Sequence, residues 1–289
     1  RKPKDHSEQM IYNNFQSMQM IKKHLKEPLT IELLLSIHTH MTKDTLEEPS
    51  WAGRFRTPAD DKIYVFDNDE QTVLHEPPDA ARVAELMRQL CDYANSDSED
   101  EFVNPIIKGI LLHFWLAYVH PFMDGNGRTA RALFYWYMLK HGYWFFEYLS
   151  VSTAILSARA QYYRSFLYSE MDDNDATYFI VYNLQAIHKA IEILNAYIQR
   201  KQKEKKRAYR FVSQFPSLNS RQRTLIASAV EKPQDLFTIE THSNIHGVTY
   251  QTARTDLLGL KDLGLLNMRK EGKKFIFTPV ADLAKKLGA

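Results

Sequence analysis

The sequence predicts an all-α fold with one small β-hairpin, followed by a smaller unit of three helices and a β-ribbon. Apolar residues recur at helical spacing to about residue 205, and a short β-rich stretch interrupts them between residues 50 and 78. A new series of helix starts begins near residue 219. A chain of 289 residues with 44% hydrophobic content is long enough for two domains.

Two amphipathic helices are predicted at the start of the chain. Apolar positions recur through residues 11–25, and again through residues 33–41 behind a cap at Thr30. His38 and His40 are two positions apart on the second helix, so they point to different faces. We therefore do not expect them to share a metal ion.

The β-rich stretch predicts a hairpin. Residues 63–66 and 72–74 are rich in β-branched and aromatic side chains and flank a turn at residues 67–69. Pro77 and Pro78 end the hairpin. A helix to about residue 95 is expected to begin behind them at an Asp79 cap.

The middle of the chain predicts the helical core. Residues 106–119 are apolar almost all round, as in a central helix, and a glycine-rich turn separates them from a second apolar helix at residues 128–140. Further helices are expected at about 152–170 and 176–205. The boundary between the two domains is expected at residues 214–217.

The last part of the chain predicts a winged helix-turn-helix domain. Helices are expected to start at Asn219, Thr238 and Thr249, followed by strands at residues 265–269 and 274–278. Side chains at the start of the third helix would face DNA bases, beside a basic wing formed by Arg269, Lys270, Lys273 and Lys274. The domain also holds acidic residues, so docking to a protein is the alternative to DNA contact.

Charge and cysteine content narrow the class of protein. The formal net charge is +2, which argues against a global field for nucleic acid or membrane. The single cysteine, Cys91, cannot form an intramolecular disulfide, which favours a reducing compartment such as the cytoplasm. No apolar stretch is long enough to span a bilayer, so no membrane partner is expected.

Residues 120–131, here called the motif segment, carry the chemistry. Gly125 and Gly127 allow a tight backbone concavity whose N–H groups, with the start of the next helix, form an anion site. Arg128 and Arg131 lie one turn apart, so both side chains can reach one anion. Two arginines at such a site suit a polyphosphate.

Two further residues of the motif segment complete a reactive group. Asp124 supplies a hard oxygen ligand beside the phosphates, as Mg²⁺ requires. His120 ends the preceding helix and is suited to accept a proton near neutral pH. Each feature alone is common in proteins, but their combination within twelve residues predicts a nucleotide site.

The run HPFMDGNGRTAR resembles the Fic family motif HPFx(D/E)GNGRxxR at every fixed position. Residues 52–56, the hairpin and the proline pair are similar to the segment that precedes the Fic core. Tyr162 and Tyr163 are similar to its tyrosine pair. The resemblance implies a Fic fold with N-terminal helices and a hairpin flap at residues 1–95, a catalytic core at 96–213 and a winged helix at 217–289.

The resemblance also implies roles for individual residues. His120 would be the general base, Asp124 would hold Mg²⁺, and the flap strand Ile63, Tyr64 and Val65 would pair with a target backbone. The nucleotide-binding residues that it implies are Gly125, Asn126, Gly127, Arg128, Thr129, Arg131 and Tyr163.

The implied activity is protein adenylyl transfer, in which AMP moves from ATP to a serine, threonine or tyrosine hydroxyl. The expected partners are a protein substrate, the chain itself as a substrate, and a second copy in a homodimer. Three alternatives stay open: removal of AMP, transfer of another nucleotide or of a group such as phosphocholine, and a nucleotide-sensing DNA-binding regulator. The inhibitory pattern (S/T)xxxE(G/N) of related proteins does not occur in residues 1–289.

Overall fold

The computed structural model describes residues 3–66, 73–96, 102–213, 217–272 and 274–286. The chain divides into two compact units, Arg1–Leu194 and Asn195–Ala289. The division falls within one long helix. The predicted domain boundary at 214–217 stays a prediction, because residues 214–216 lie outside the described part.

The first unit opens with two helices and the hairpin arm. The Thr30 side chain accepts a hydrogen bond from the Leu33 backbone, which confirms the predicted cap. Asp79 caps a short 3-10 turn that leads into the third helix. The elements are α1 (His6–Lys23), α2 (Ile31–Thr42), β1 (Val65–Phe66), β2 (Val73–His75) and α3 (Val83–Asn95).

The flap strand is shorter than predicted. Only Val65 of the predicted trio lies in β1, while Ile63 and Tyr64 precede it. In the antiparallel register, Val65 faces His75, so the next positions of β2 would be Glu76 and Pro77. Proline has no N–H for the ladder, which ends the pairing there. The predicted turn at residues 67–69 and Thr72 lie outside the described residues.

The centre of the first unit is a pair of helices, α4 (Pro105–Val119) and α5 (Asn126–Lys140). Both are buried over most of their surface, as the apolar sequence predicted. Large side chains such as Trp136, Tyr137 and Phe122 are fully buried between the helices of this unit. The motif segment joins α4 to α5, so both of its ends are fixed by buried helices.

Two helices replace the single helix predicted at 152–170. They are α6 (Val151–Ser157) and α7 (Arg159–Met171), separated by Ala158 at φ −135° and ψ 44°, outside the helical region. The sequence has no glycine or proline at this break, so local signals did not reveal it. The helix that follows them, α8 (Thr177–Ser213), is longer than predicted.

The second unit contains the predicted helices and ribbon, and one further strand. Asn219 and Gln222 form a capping box, and Thr238 and Thr249 cap the next two helices, as predicted. The sheet has the order β3-β5-β4. The elements are α9 (Ser220–Glu231), β3 (Phe237–Thr238), α10 (Ile239–His246), α11 (Tyr250–Asp262), β4 (Leu266–Glu271), β5 (Lys274–Pro279) and α12 (Leu283–Lys286).

Among the helices of these described residues, none combines the length and apolar character needed to cross a membrane.

Candidate functional site

Two residues of the motif segment, one at its start and one just before α5, lie in the left-handed backbone region. His120 caps the C-terminus of α4 at φ 48° and ψ 60°, and Gly125 caps the N-terminus of α5 at φ 82°. A side chain at position 125 would lie 2.4 Å from Thr42 Cγ2, so glycine is required by both space and backbone angle. For His120, which is not a glycine, this backbone conformation is unfavourable, so contacts with surrounding residues must hold it.

Arg56 holds the start of the motif segment. Its Nε donates to the His120 carbonyl at 2.8 Å, and its Nη2 donates to the carbonyls of Val119 at 3.1 Å and Pro78 at 2.5 Å. The Arg56 backbone N–H donates to the Pro121 carbonyl at 2.8 Å. Arg56 is 7% exposed, and its guanidinium fixes the carbonyls at the turn that orients His120.

The His120 imidazole has one committed nitrogen. Its Nδ1 lies 2.9 Å from the Ala117 carbonyl, which can only accept, so Nδ1 carries the proton and Nε2 keeps its lone pair. Burial lowers the pKa of His120 to about 4, and the charges of His75 and Arg56 act in the same direction. The side chain is therefore neutral near pH 7 and can accept a proton at Nε2.

The start of α5 supplies backbone donors for an anion. In the described part of the chain, the N–H groups of Asn126, Gly127 and Arg128 donate to no acceptor, as is usual in a first helical turn. The Asn126 side chain is not available, because its oxygen accepts from the Phe122 N–H at 2.9 Å and its nitrogen donates to the Phe122 carbonyl at 2.7 Å. Its role at the site is therefore confined to its backbone.

Thr129 is not brought to the surface of the site. Its side chain is fully buried, and its hydroxyl donates to the Gly125 carbonyl at 2.9 Å. This bond stabilises the bend that leads into α5.

Arg128 is held by two side chains. Its Nη1 donates to Thr45 Oγ1 at 2.6 Å, and its Nη2 forms an ion pair with Asp124 at 2.9 Å. Thr45 belongs to the turn after α2, so this turn contacts Arg128 of the motif segment.

Arg131 faces a buried polar pair. The Tyr162 hydroxyl lies 3.1 Å from His113 Nε2. The charge of Arg131 lowers the pKa of this hydroxyl, although burial raises it overall. Burial, and after it the charge of Arg131, lower the pKa of His113 to about 3. Both neighbours of Arg131 are therefore uncharged near pH 7, so neither neutralises the positive charge of the guanidinium.

The Asp124 carboxylate fits the Mg²⁺ that the sequence implies. It is about half exposed, at 49%, and its second oxygen lies beside the Gly125 N–H. Within the described residues, no group of three or more His, Cys, Asp or Glu side chains could hold a metal ion by itself. One carboxylate supplemented by phosphate oxygens is, however, a usual way to bind Mg²⁺.

The flap presents apolar side chains next to the site. Tyr64, Phe66 and Val73 are exposed by 38%, 44% and 49%, and β1 has β2 as its partner in a two-stranded sheet. Its other edge is free for pairing within the described residues. His75, at the end of β2, binds the flap hairpin to two helices. Its Nε2 donates to the Tyr118 carbonyl of α4, and its Nδ1 lies 2.6 Å from Glu170 Oε1 of α7.

Tyr163 contacts two residues of its own helix, α7. Arg159 donates to its hydroxyl at 3.0 Å and lies over its ring, and Tyr162 packs against it. Its implied role in nucleotide binding stays a prediction.

Sequence reasoning missed three supporting residues: Arg56, His75 and His38. His38 is fully buried on α2 and contacts the backbone of Asp124. One signal was available, because Leu34, Ile37, His38 and Met41 follow the spacing of a single buried helix face. A histidine on such a face needs hydrogen-bond partners from elsewhere in the fold.

Comparison with known proteins finds a family model that matches the motif segment and the residues before it. The model of the Fic/DOC family matches residues 28–138. Protein adenylyltransferase Fic of Drosophila willistoni is 31% identical over 118 residues, which cover 41% of this chain and 21% of that protein. The protein of the same name from Nematostella vectensis is 32% identical over 117 residues, covering 40% and 24%. The chain thus spans about a quarter or less of these relatives.

A solved structure shows the same fold. A Fic family protein from Desulfovibrio desulfuricans G20 superposes with a TM-score of 0.58 at 21% sequence identity. The match covers 96% of this chain and 76% of that one.

Proposed function

Because this chain carries a domain of the Fic/DOC family at residues 28–138, we propose that it is a protein adenylyltransferase. It would move AMP from ATP to a serine, threonine or tyrosine hydroxyl of a protein and release pyrophosphate. The two relatives described above are named for this activity, and the chain is similar to them over part of their length.

The observation that carries the proposal is the state of His120. Its Nδ1 proton is bound by the Ala117 carbonyl, so Nε2 is free to accept a proton beside the anion site. A pKa of about 4 makes His120 a weak base in the free protein. The negative charge of a bound triphosphate would raise the pKa toward the range that suits a general base.

The transfer needs a base, an in-line arrangement and charge neutralisation. The hydroxyl oxygen of the target forms a bond to the α-phosphorus as the bond from that phosphorus to the bridging oxygen of pyrophosphate breaks. The hydroxyl proton passes to His120 Nε2. The backbone N–H groups at the start of α5 bind the phosphate oxygens, and Arg128 and Arg131 neutralise the charge of the leaving group.

Binding of ATP would rearrange one ion pair. Arg128 Nη2 and Asp124 Oδ2 form an ion pair at 2.9 Å. While this pair persists, Arg128 is not free to bind phosphate and Asp124 is not free to bind the metal ion. Arg128 would turn from Asp124 to the phosphates, which releases the carboxylate. When bound by Asp124 and phosphate oxygens, Mg²⁺ would supply charge neutralisation.

The flap and the second unit would serve target binding. The free edge of β1 and the exposed Tyr64 suit an extended segment of the target. We propose that the second unit is a winged helix used for docking, because two cations of its predicted basic wing are paired with acids. Arg269 lies 3.6 Å from Glu271, and Lys274 lies 3.4 Å from Glu240. Lys273 lies outside the described residues.

The reaction class is tested by the position of a radioactive label. The chain is incubated with Mg²⁺ and ATP labelled at either the α- or the γ-phosphate, with and without a cell lysate. Adenylyl transfer predicts α-label on protein and no γ-label. A γ-label would show phosphorylation instead, and loss of AMP from a pre-labelled target would show the reverse reaction. No transfer from any nucleotide would contradict the proposal.

A further inference from the structure

A buried histidine supports the motif segment from behind. The His38 side chain is fully buried, and its ring is stacked on Phe122 at a centroid distance of 3.8 Å and an angle of 4°. A side chain on Gly125 would approach His38 Nε2 to 3.2 Å. The ring therefore packs directly against the bend that leads into α5.

The two hydrogen bonds of His38 fix its tautomer. The Gly53 N–H donates to Nδ1 at 3.0 Å, so Nδ1 has no proton. Nε2 lies 2.9 Å from the Asp124 carbonyl, which can only accept, so Nε2 carries the proton. Both nitrogens are occupied, which leaves neither for a ligand.

The bond to Asp124 orients the anion site. The Asp124 carbonyl belongs to the peptide group whose N–H is that of Gly125, so fixing the carbonyl fixes the plane of that peptide. This plane sets the direction of the backbone that enters α5, where the free N–H groups begin. It also sets the position from which the Asp124 side chain leaves the chain.

We propose that His38 is a positioning residue for the phosphate-binding backbone, and that it acts through the Asp124 carbonyl. The inference rests on the proposed function in one respect, namely that this backbone binds the phosphates of ATP. It adds a residue of α2 to the site, at a position separated from Asp124 by 86 residues of sequence.

Two amide substitutions separate the two hydrogen bonds. His38→Gln places an amide nitrogen near the position of Nε2 and keeps a donor for Asp124. His38→Asn places its amide near the position of Nδ1 and keeps a partner for Gly53 only. Both variants remove the ring and its stacking on Phe122, so each is the matched control of the other.

The measurement is the affinity of the full chain for a non-hydrolysable ATP analogue without divalent metal. We expect His38→Gln to bind within about threefold of the unchanged protein and His38→Asn to bind about tenfold more weakly or worse, since it lacks the bond to Asp124. Thermal unfolding of both variants is measured in parallel. Equal losses of affinity that follow equal losses of stability would overturn the proposal.

A spectroscopic readout does not depend on nucleotide. Nitrogen-15 NMR of the unchanged protein reports which His38 nitrogen carries the proton, with His38→Gln used to assign the signal. Protonated Nε2 is expected, and protonated Nδ1 would overturn the proposal because no donor would remain for Asp124. If Nε2 is protonated but the unchanged protein binds no nucleotide, the proposed function fails while the contact stands.

Discussion

Several histidines of the first unit share one electrostatic property. Burial lowers the pKa of His38, His113 and His120, so these side chains are neutral in the folded protein. In the unfolded chain a histidine has a pKa of about 6.5. As the pH falls below this value the unfolded chain gains protons that the folded protein does not, so the free energy of unfolding decreases.

His113 provides a test of this pH dependence. The ring centroids of His113 and Phe179 are 5.2 Å apart. His113→Phe keeps an aromatic ring beside Phe179 but removes the titrating group. With a folded pKa of about 3, His113 accounts for about 2 kcal/mol of the decrease in unfolding free energy between about pH 7 and pH 5. The decrease is expected to be smaller by that amount in the variant.

Urea unfolding at the two pH values measures the difference directly. The comparison within each protein removes any constant cost of the substitution, such as the lost bond to Tyr162. Equal pH dependence in the two proteins would show that His113 titrates normally in the fold.

At the scale of residues, the sequence revealed groups that act together within a short segment. The spacing within residues 120–131 indicated an anion site because neighbours along the chain remain neighbours in a loop and a first helical turn. Arg56 and His38 could not be assigned in this way. Their partners lie 64 and 86 positions away, and only the packing of α2 and residues 52–56 against the motif segment brings them together.

At the scale of elements, the motif segment is held from outside as well as by its two helices. Arg56 connects the stretch after α2 to the end of α4, and it holds His120 in a left-handed conformation. Its pKa is lowered by burial, although the charge of Asp79 opposes this. A buried cation that binds several carbonyls is costly to replace, because the carbonyls lose their donors.

Arg56→Lys tests this support. Lysine keeps the charge but lacks the planar fork that contacts the Val119 and His120 carbonyls. We expect a loss of about 2–4 kcal/mol in unfolding free energy and a transfer rate lower by about tenfold or more. Denaturant unfolding and initial rates of transfer provide the two measurements.

Arg54→Lys is the matched control. Arg54 pairs with Asp60 at 2.7 Å, but its side chain is 39% exposed, so the expected loss is below about 1 kcal/mol. Similar effects of the two substitutions would contradict the account of Arg56.

Element prediction succeeded where a local signal exists. The caps at Thr30, Asn219, Thr238 and Thr249 were readable because a capping side chain and its backbone partner are three residues apart. The break at Ala158 and the strand β3 carry no such signal. β3 has two residues and exists through its pairing with Phe277 and Ile276 of β5, far along the chain.

At the scale of the whole molecule, the two units have separate cores. The second unit has a buried polar centre at Asp256, which is 3% exposed. Its carboxylate accepts from Arg221 at 2.7 Å, Asn219 at 2.6 Å and His242 at 3.2 Å. Burial raises the pKa of Asp256, but the hydrogen bonds from these donors outweigh it and lower the pKa overall.

Asp256→Ala tests whether the units are independent. The change removes the acceptor of three donors, with an expected cost of about 2–3 kcal/mol after allowance for the partial exposure of Arg221. We expect earlier unfolding and faster proteolysis of residues 195–289, with nucleotide affinity unchanged. Loss of nucleotide binding in this variant would show that the site depends on the second unit.

The central claim is that His120 acts as the base while the start of α5 binds the nucleotide. The most direct test is His120→Ala, measured for both binding of a non-hydrolysable ATP analogue and transfer of AMP to protein. We expect affinity within about threefold of the unchanged protein and transfer lower by at least about a hundredfold. Transfer near the unchanged rate would contradict it, as would a loss of affinity large enough to explain the loss of transfer.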